Sequence, residues 1–171
     1  PSCVVPKPNV FVGVCTSGCV VPESKIQTPK GAFTIQEMDD YQTDSVLVPT
    51  ANSNMQIELT QFPVKAYLKD MIEAEQKTLV ITTESGGTLQ VSLNHPLLTG
   101  ENIMKKAEDL KVGDSLVTFA GKKDRIKSLA PQKFYGKLHN LTVATEKIEE
   151  SLYVVQGYIS GDKKYQDLEV S

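Results

Sequence analysis

The chain has 171 residues, enough for one well-filled core and a short appendage. Hydrophobic residues make up 40% and charged residues 23%, ordinary for a globular domain, and the net charge of −3 excludes the basic surface that phosphate binding needs, so no nucleic acid partner is expected. No apolar run approaches the roughly 20 residues of a membrane span, and the first residues lack the charged-then-apolar layout of a signal peptide.

Residues 1–18 read PSCVVPKPNVFVGVCTSG. Pro1, Pro6 and Pro8 disfavour helix, Val10-Phe11-Val12 reads as a short strand, and the segment is taken as an upstream flanking arm. From Cys19 onward short β-type runs follow one another: 25–28, 32–36, 45–48, 55–61, 78–83, 88–93, 115–119, 138–145 and 152–160. Pro29-Lys30-Gly31, Ser85-Gly86-Gly87, Gly113-Asp114 and Gly161-Asp162 mark turns between them. Many short strands at this spacing point to an all-β domain. After Pro63 the apolar residues Val64, Tyr67, Leu68, Met71 and Ile72 fall at helical spacing, which predicts a helix over 64–76. A second short helical turn is expected over 103–110.

Two stretches echo each other. Thr34-Ile-Gln-Glu-Met38 leads to Asp44-Ser-Val-Leu-Val48, and Lys106-Ala-Glu-Asp-Leu110 leads to Asp114-Ser-Leu-Val-Thr118. Ile26-Gln-Thr28 and Leu97-Leu-Thr99 repeat at almost the same offset. A near-constant offset suggests two copies of one β unit, each unable to close its core alone.

All three cysteines, Cys3, Cys15 and Cys19, lie at the N-terminal end, where a disulfide-stapled fold would spread them along the chain. The two histidines, His95 and His139, stand far apart, so no zinc set is present and neither metal nor cofactor is expected. The clustering points to local chemistry near the N-terminus. A Cys3–Cys15 disulfide with Cys19 left over is compatible with that chemistry. The sequence does not fix localisation; an extracellular or cell-surface setting is favoured.

Five blocks carry more specific information. Gly18-Cys19 is followed by Val-Val-Pro-Glu23-Ser24-Lys-Ile26. Next come Ser92-Leu-Asn94-His95-Pro-Leu-Leu-Thr-Gly and Asp109-Leu-Lys-Val-Gly-Asp114-Ser-Leu. Last come Leu138-His139-Asn140-Leu-Thr-Val and Gly157-Tyr-Ile-Ser-Gly161-Asp162. In this order the blocks resemble the hedgehog/intein (Hint) superfamily: inteins, the autoprocessing part of hedgehog proteins, and bacterial intein-like domains. The resemblance covers roughly 19–162, with 163–171 as a C-terminal tail, and implies a pseudo-twofold β fold with one or two short helices.

The resemblance implies that the chain's own backbone is its substrate; a monomer is expected. The Cys19 thiolate would attack the carbonyl of Gly18, an N–S acyl shift, and a small external nucleophile (water, a thiol or an amine) would then cleave the thioester. A glycine at 18 lets the nucleophile approach. His95, three residues after a hydroxyl residue as in the family's Thr-x-x-His block, would protonate the leaving nitrogen. Ser92, in the threonine place, would hold the scissile amide or the histidine. Asn94 is a candidate oxyanion donor or a turn residue. Some family members carry an Asp at the place of Asn140; Asn cannot act as a base, so water or His139 would substitute, or the step would be slow. A Cys15–Cys19 bridge would block the nucleophile until reduced. Where inteins end on His-Asn, this chain has Gly161 and Asp162, followed by Lys163 rather than Cys, Ser or Thr, so splicing is not expected. Nine residues follow Asp162 here, and sterol transfer is not expected unless the natural chain continues. The alternative is a catalytically inactive Hint scaffold or β-rich interaction module of a larger surface or secreted protein.

Overall fold

Covered residues alternate with exposed ones along runs such as 57–69, which bury one face, whereas 139–143 and 158–161 are buried along their whole length. The computed structural model describes residues 19–54 and 56–165. Its elements in chain order are β1 (Lys25–Thr28), β2 (Gly31–Thr34), α1 (Ile35–Tyr41), β3 (Ser45–Ala51), β4 (Ile57–Lys69), β5 (Ala74–Thr83) and β6 (Thr88–Ser92). They continue with β7 (Pro96–Leu98), β8 (Met104–Lys106), β9 (Ser115–Val117), β10 (Lys123–Gly136), β11 (His139–Val143), β12 (Leu152–Val155) and β13 (Tyr158–Gly161), with 3-10 turns at Ala107–Asp109 and Ile148–Glu150. The sheets run β2-β1-β12-β13-β7-β8, β6-β5-β10-β9 and β11-β4-β3, all paired antiparallel.

The sequence echo marks equivalent elements. β1-β2-α1-β3-β4 and β7-β8-3-10 turn-β9-β10 follow the same order, and Ser45 and Ser115 each open the third strand of their unit. Each unit ends on a long strand that changes partner. β4 pairs with β3 and then β11; β10 pairs with β9 and then β5. A register shift near each hand-over, at Val64 and at Ile126, bends the strand as a bulge does. Each long strand thus pairs with the strand that follows the other unit, β4 with β11 and β10 with β5, as expected of copies that cannot close alone. Ile26, Ile35, Val46, Leu97, Leu116, Val143 and Tyr153 meet in one apolar cluster. At about 1.5–3 kcal/mol per fully buried large side chain, that cluster is the main source of stability.

Three expectations require correction. The helix over 64–76 is strand up to Lys69, a turn, and strand again from Ala74. Val64 and Leu68 fit period two as well as helical spacing. Phe62, Val64, Ala66 and Leu68 are the more covered residues there, with Pro63 and Lys65 exposed between them. Neighbours on both edges decide for strand. Pro63 sits at the hand-over, where its missing N–H costs nothing: Val64 N–H donates to Asp44 (2.9 Å) and Ala144 N–H to the Pro63 carbonyl (2.9 Å). Met71 and Ile72 lie exposed in the turn. Over 103–110 the helical part is only the 3-10 turn, preceded by β8. The run 32–36 stops at Thr34, which caps α1 by accepting the Glu37 N–H (3.1 Å), with Ile35 and Met38 turned inward. No helix among the described residues is long and apolar enough to cross a membrane.

Candidate active site around Cys19

Val20 joins two sheets, bridging Val91 of β6 and His139 of β11. It exchanges both backbone bonds with His139, each 2.8 Å. Antiparallel pairing on both sides sets Cys19 across from Ser92 and across from Asn140. On the β6 side the backbone of Cys19 is held twice: Ser92 N–H donates to the Cys19 carbonyl (2.9 Å), and Cys19 N–H donates to Ser92 Oγ (2.8 Å). Cys19 is buried, 1% exposed, and packs with Val21, Leu138 and Phe134.

Ser92 also opens the turn that carries His95. His95 N–H donates to the Ser92 carbonyl (3.2 Å), and Ser92 Oγ donates to Asn94 Oδ1 (3.1 Å). That bond places the Asn94 side chain against the turn. The His95 ring is fully buried, and its Nε2 is hydrogen-bonded to Ser160 Oγ on β13. Asn140 is fully buried too. Its Oδ1 accepts from Leu141 N–H (2.8 Å) and Tyr153 O–H (3.0 Å). Two donors on one oxygen fix the amide plane, so the Nδ2 end is the one turned away from them. Burial, and then the charges of Asp162 and Cys19, push the Tyr153 hydroxyl well above its ordinary value, so it remains a donor.

His139 does not join this group. Side chains alternate along β11, and its ring faces α1, with Nδ1 4.0 Å from Asp39 Oδ2. Burial lowers its pKa, opposed by the Asp39 charge and assisted by that of Lys69. Asp162 is fully buried at the end of β11. Its Oδ2 accepts Val143 N–H (2.8 Å), its Oδ1 accepts Tyr165 N–H (3.0 Å), and Lys164 Nζ lies 3.8 Å away. Burial raises its pKa against these bonds and that charge. At Gly161 a Cβ would stand 2.9 Å from Pro96 and 3.0 Å from Tyr165, so the place has no room for a side chain. Gly18, Cys3 and Cys15 lie outside the described residues. Among the described residues, no three His, Cys, Asp or Glu side chains converge as metal ligands would.

Sequence reasoning did not single out Tyr153, Ser160 or Asp70. Asp70, buried in the turn after β4, accepts Leu138 N–H (2.9 Å) and so fixes the start of β11 beside Cys19. For the first two a signal existed: polar groups inside β12 and β13, where nearly every residue is buried.

No family model matches the chain, and no curated protein matches it. Solved structures do. A bacterial intein-like domain from Clostridium thermocellum is 19% identical, with a TM-score of 0.70 over 85% of this chain and 99% of that one. A DnaB intein from Synechocystis sp. PCC 6803 is 18% identical, with a TM-score of 0.66 over 85% and 99%. The PabCDC21-1 intein is 15% identical, with a TM-score of 0.68 over 85% and 99%. The fold is the Hint, or intein-like, fold, and it spans most of the chain.

Proposed function

We propose that the chain is a self-processing domain that cleaves its own backbone between Gly18 and Cys19 and does not splice. The observation that carries this reading is the clamp on Cys19. Its amide N–H is held by Ser92 Oγ at 2.8 Å, in the same turn that carries His95, with Asn140 across the other edge. A scissile amide fixed on its nitrogen side lets a nucleophile one residue away meet its carbonyl in one orientation. The Cys19 sulfur adds to the Gly18 carbonyl carbon. The C–N bond breaks, and the thiol proton ends on the Cys19 nitrogen, carried through His95. Water, a thiol or an amine from solution then takes the acyl group and frees the thiol. His139, whose ring faces Asp39 on the opposite side of β11, has no part in the proton transfer, and Asn140 acts through its Nδ2 end as a donor toward the oxyanion. Both Asp162 oxygens are engaged by backbone N–H groups, and Gly161 has no proton to give, which favours N-terminal cleavage alone.

Incubation with dithiothreitol, followed by intact mass, tests the reading. Release of residues 1–18 from the wild type, and none from Cys19→Ala, is expected. No cleavage of either protein, or equal cleavage of both, would leave an inactive Hint scaffold. With the domain placed between two reporter proteins, a ligated reporter–reporter product would contradict the absence of splicing.

A further inference from the structure

We infer that Ser160 is a positioning residue that sets the tautomer of His95; the inference rests on the self-processing reading above. Ser160 is fully buried in β13, and its Oγ is hydrogen-bonded to His95 Nε2. The same Oγ reaches two carbonyl oxygens, that of Pro96 at 3.3 Å and that of Gly161 at 3.5 Å. A serine hydroxyl has one proton. Both carbonyls can only accept, and the Pro96 carbonyl belongs to the residue next to His95. With the hydroxyl proton on that carbonyl, the oxygen turns a lone pair to the ring, and the ring donates Nε2–H to it. The neutral imidazole then carries its lone pair on Nδ1.

This is the form the proposed reaction needs. Nδ1 takes the proton given up by the Cys19 thiol, and the ring becomes imidazolium with Nε2–H still bonded to Ser160. Nδ1 then passes the same proton to the departing Cys19 nitrogen as the C–N bond breaks, and the ring returns to its starting tautomer. One proton moves from sulfur to nitrogen and no other group changes charge. The opposite tautomer, with the proton on Nδ1 at rest, could not accept the thiol proton on that side. A neighbour fixing one ring nitrogen so that the other can act is a recurring device for histidine. Here the neighbour is held in turn, because Ser160 pairs with Leu97 and with Tyr153 in its sheet. The His95 ring is therefore anchored to β13, itself held between β7 and β12, as well as by the turn.

Nitrogen-15 NMR of the His95 ring tests the inference, in Cys19→Ala protein so that the chain stays uncut. The expected spectrum shows a protonated Nε2 and an unprotonated Nδ1 at neutral pH, with loss of that preference in Ser160→Ala and its retention in Ser160→Thr. In protein with Cys19 intact, dithiothreitol cleavage should slow by ~10-fold or more in Ser160→Ala, a share of the 10²–10⁴ typical of general acid–base catalysis, and recover in Ser160→Thr. A His95 ring protonated on Nδ1 at rest, or wild-type cleavage by Ser160→Ala, would overturn the inference. If the wild type does not cleave at all, the self-processing reading fails, and the ring spectrum still decides the tautomer.

Discussion

Replacing Ser92 by alanine removes one oxygen from the centre of the site. That oxygen accepts the Cys19 N–H at 2.8 Å and donates to Asn94 Oδ1 at 3.1 Å. Cys19 is 1% exposed and Ser92 5% exposed, so the orphaned N–H has no access to bulk water. A buried donor left without an acceptor costs about 1–3 kcal/mol. In a chain of this size each kcal/mol lowers Tm by about 2–4 °C, so the midpoint should fall by about 2–12 °C. Threonine at 92 keeps the oxygen and suits a strand, and should hold most of that stability. The assay is urea unfolding of wild type, Ser92→Ala and Ser92→Thr, paired with the rate of dithiothreitol cleavage. Loss of the clamp should slow cleavage by up to about 10²-fold, since misplacing a reacting group by an ångström has that effect. Ser92→Ala unfolding within about 0.5 kcal/mol of wild type, the range of an inconsequential surface change, would refute the clamp.

Three further outcomes follow from other parts of the fold. Burial lowers the His139 pKa below 6.5, so between the lowered value and 6.5 the unfolded chain binds more protons there. Stability should be lost as pH falls through that window, and urea midpoints across pH should show this slope in wild type but not in His139→Gln. Asp162 has a folded pKa raised above 3.8, so its share of stability is greatest below 3.8 and falls as pH rises through the raised value. Asp162→Asn should remove that slope and cost about 1–3 kcal/mol, because Val143 N–H and Tyr165 N–H reach two different oxygens and an amide has an oxygen in only one of those places. At Gly87 a Cβ would stand 2.0 Å from Tyr158 Oη, which is bonded to Thr83 (2.7 Å) and Asp124 (2.6 Å). Gly87→Ala should cost about 1–3 kcal/mol, and a double-mutant cycle with Tyr158→Phe should give less than the sum of the two single losses.

The strand-rich class was legible because its cues are local: short β-branched runs, Gly and Pro turns, and an echo that repeats the order of elements. The helix over 64–76 was misread because Val64 and Leu68 satisfy two periods at once, and only the partner strands on both edges of β4 decide between them. β10 was not legible: residues 123–136 are mostly exposed and polar and include Pro131, so no apolar alternation announces the strand. Its stability comes from β5 and β9 on its two edges. The site divides in the same way. Gly18-Cys19 and the Ser92–His95 block are contiguous in sequence and could be read there. Asn140, Tyr153 and Ser160 meet Cys19 and His95 only because distant strands pair. His139 adjoins Asn140 in sequence, yet strand alternation sends it to the other face.

The central claim is that Cys19 carries Gly18 as a thioester, and hydroxylamine tests it most directly, since it attacks thioesters readily and leaves a hydroxamate on the acyl group. The measurement is mass spectrometry of the peptide released at neutral pH from wild-type protein, with Cys19→Ala alongside. The account predicts residues 1–18 ending in a Gly18 hydroxamate from the wild type only. An uncut wild-type chain, or a peptide from Cys19→Ala at the same rate, would contradict it.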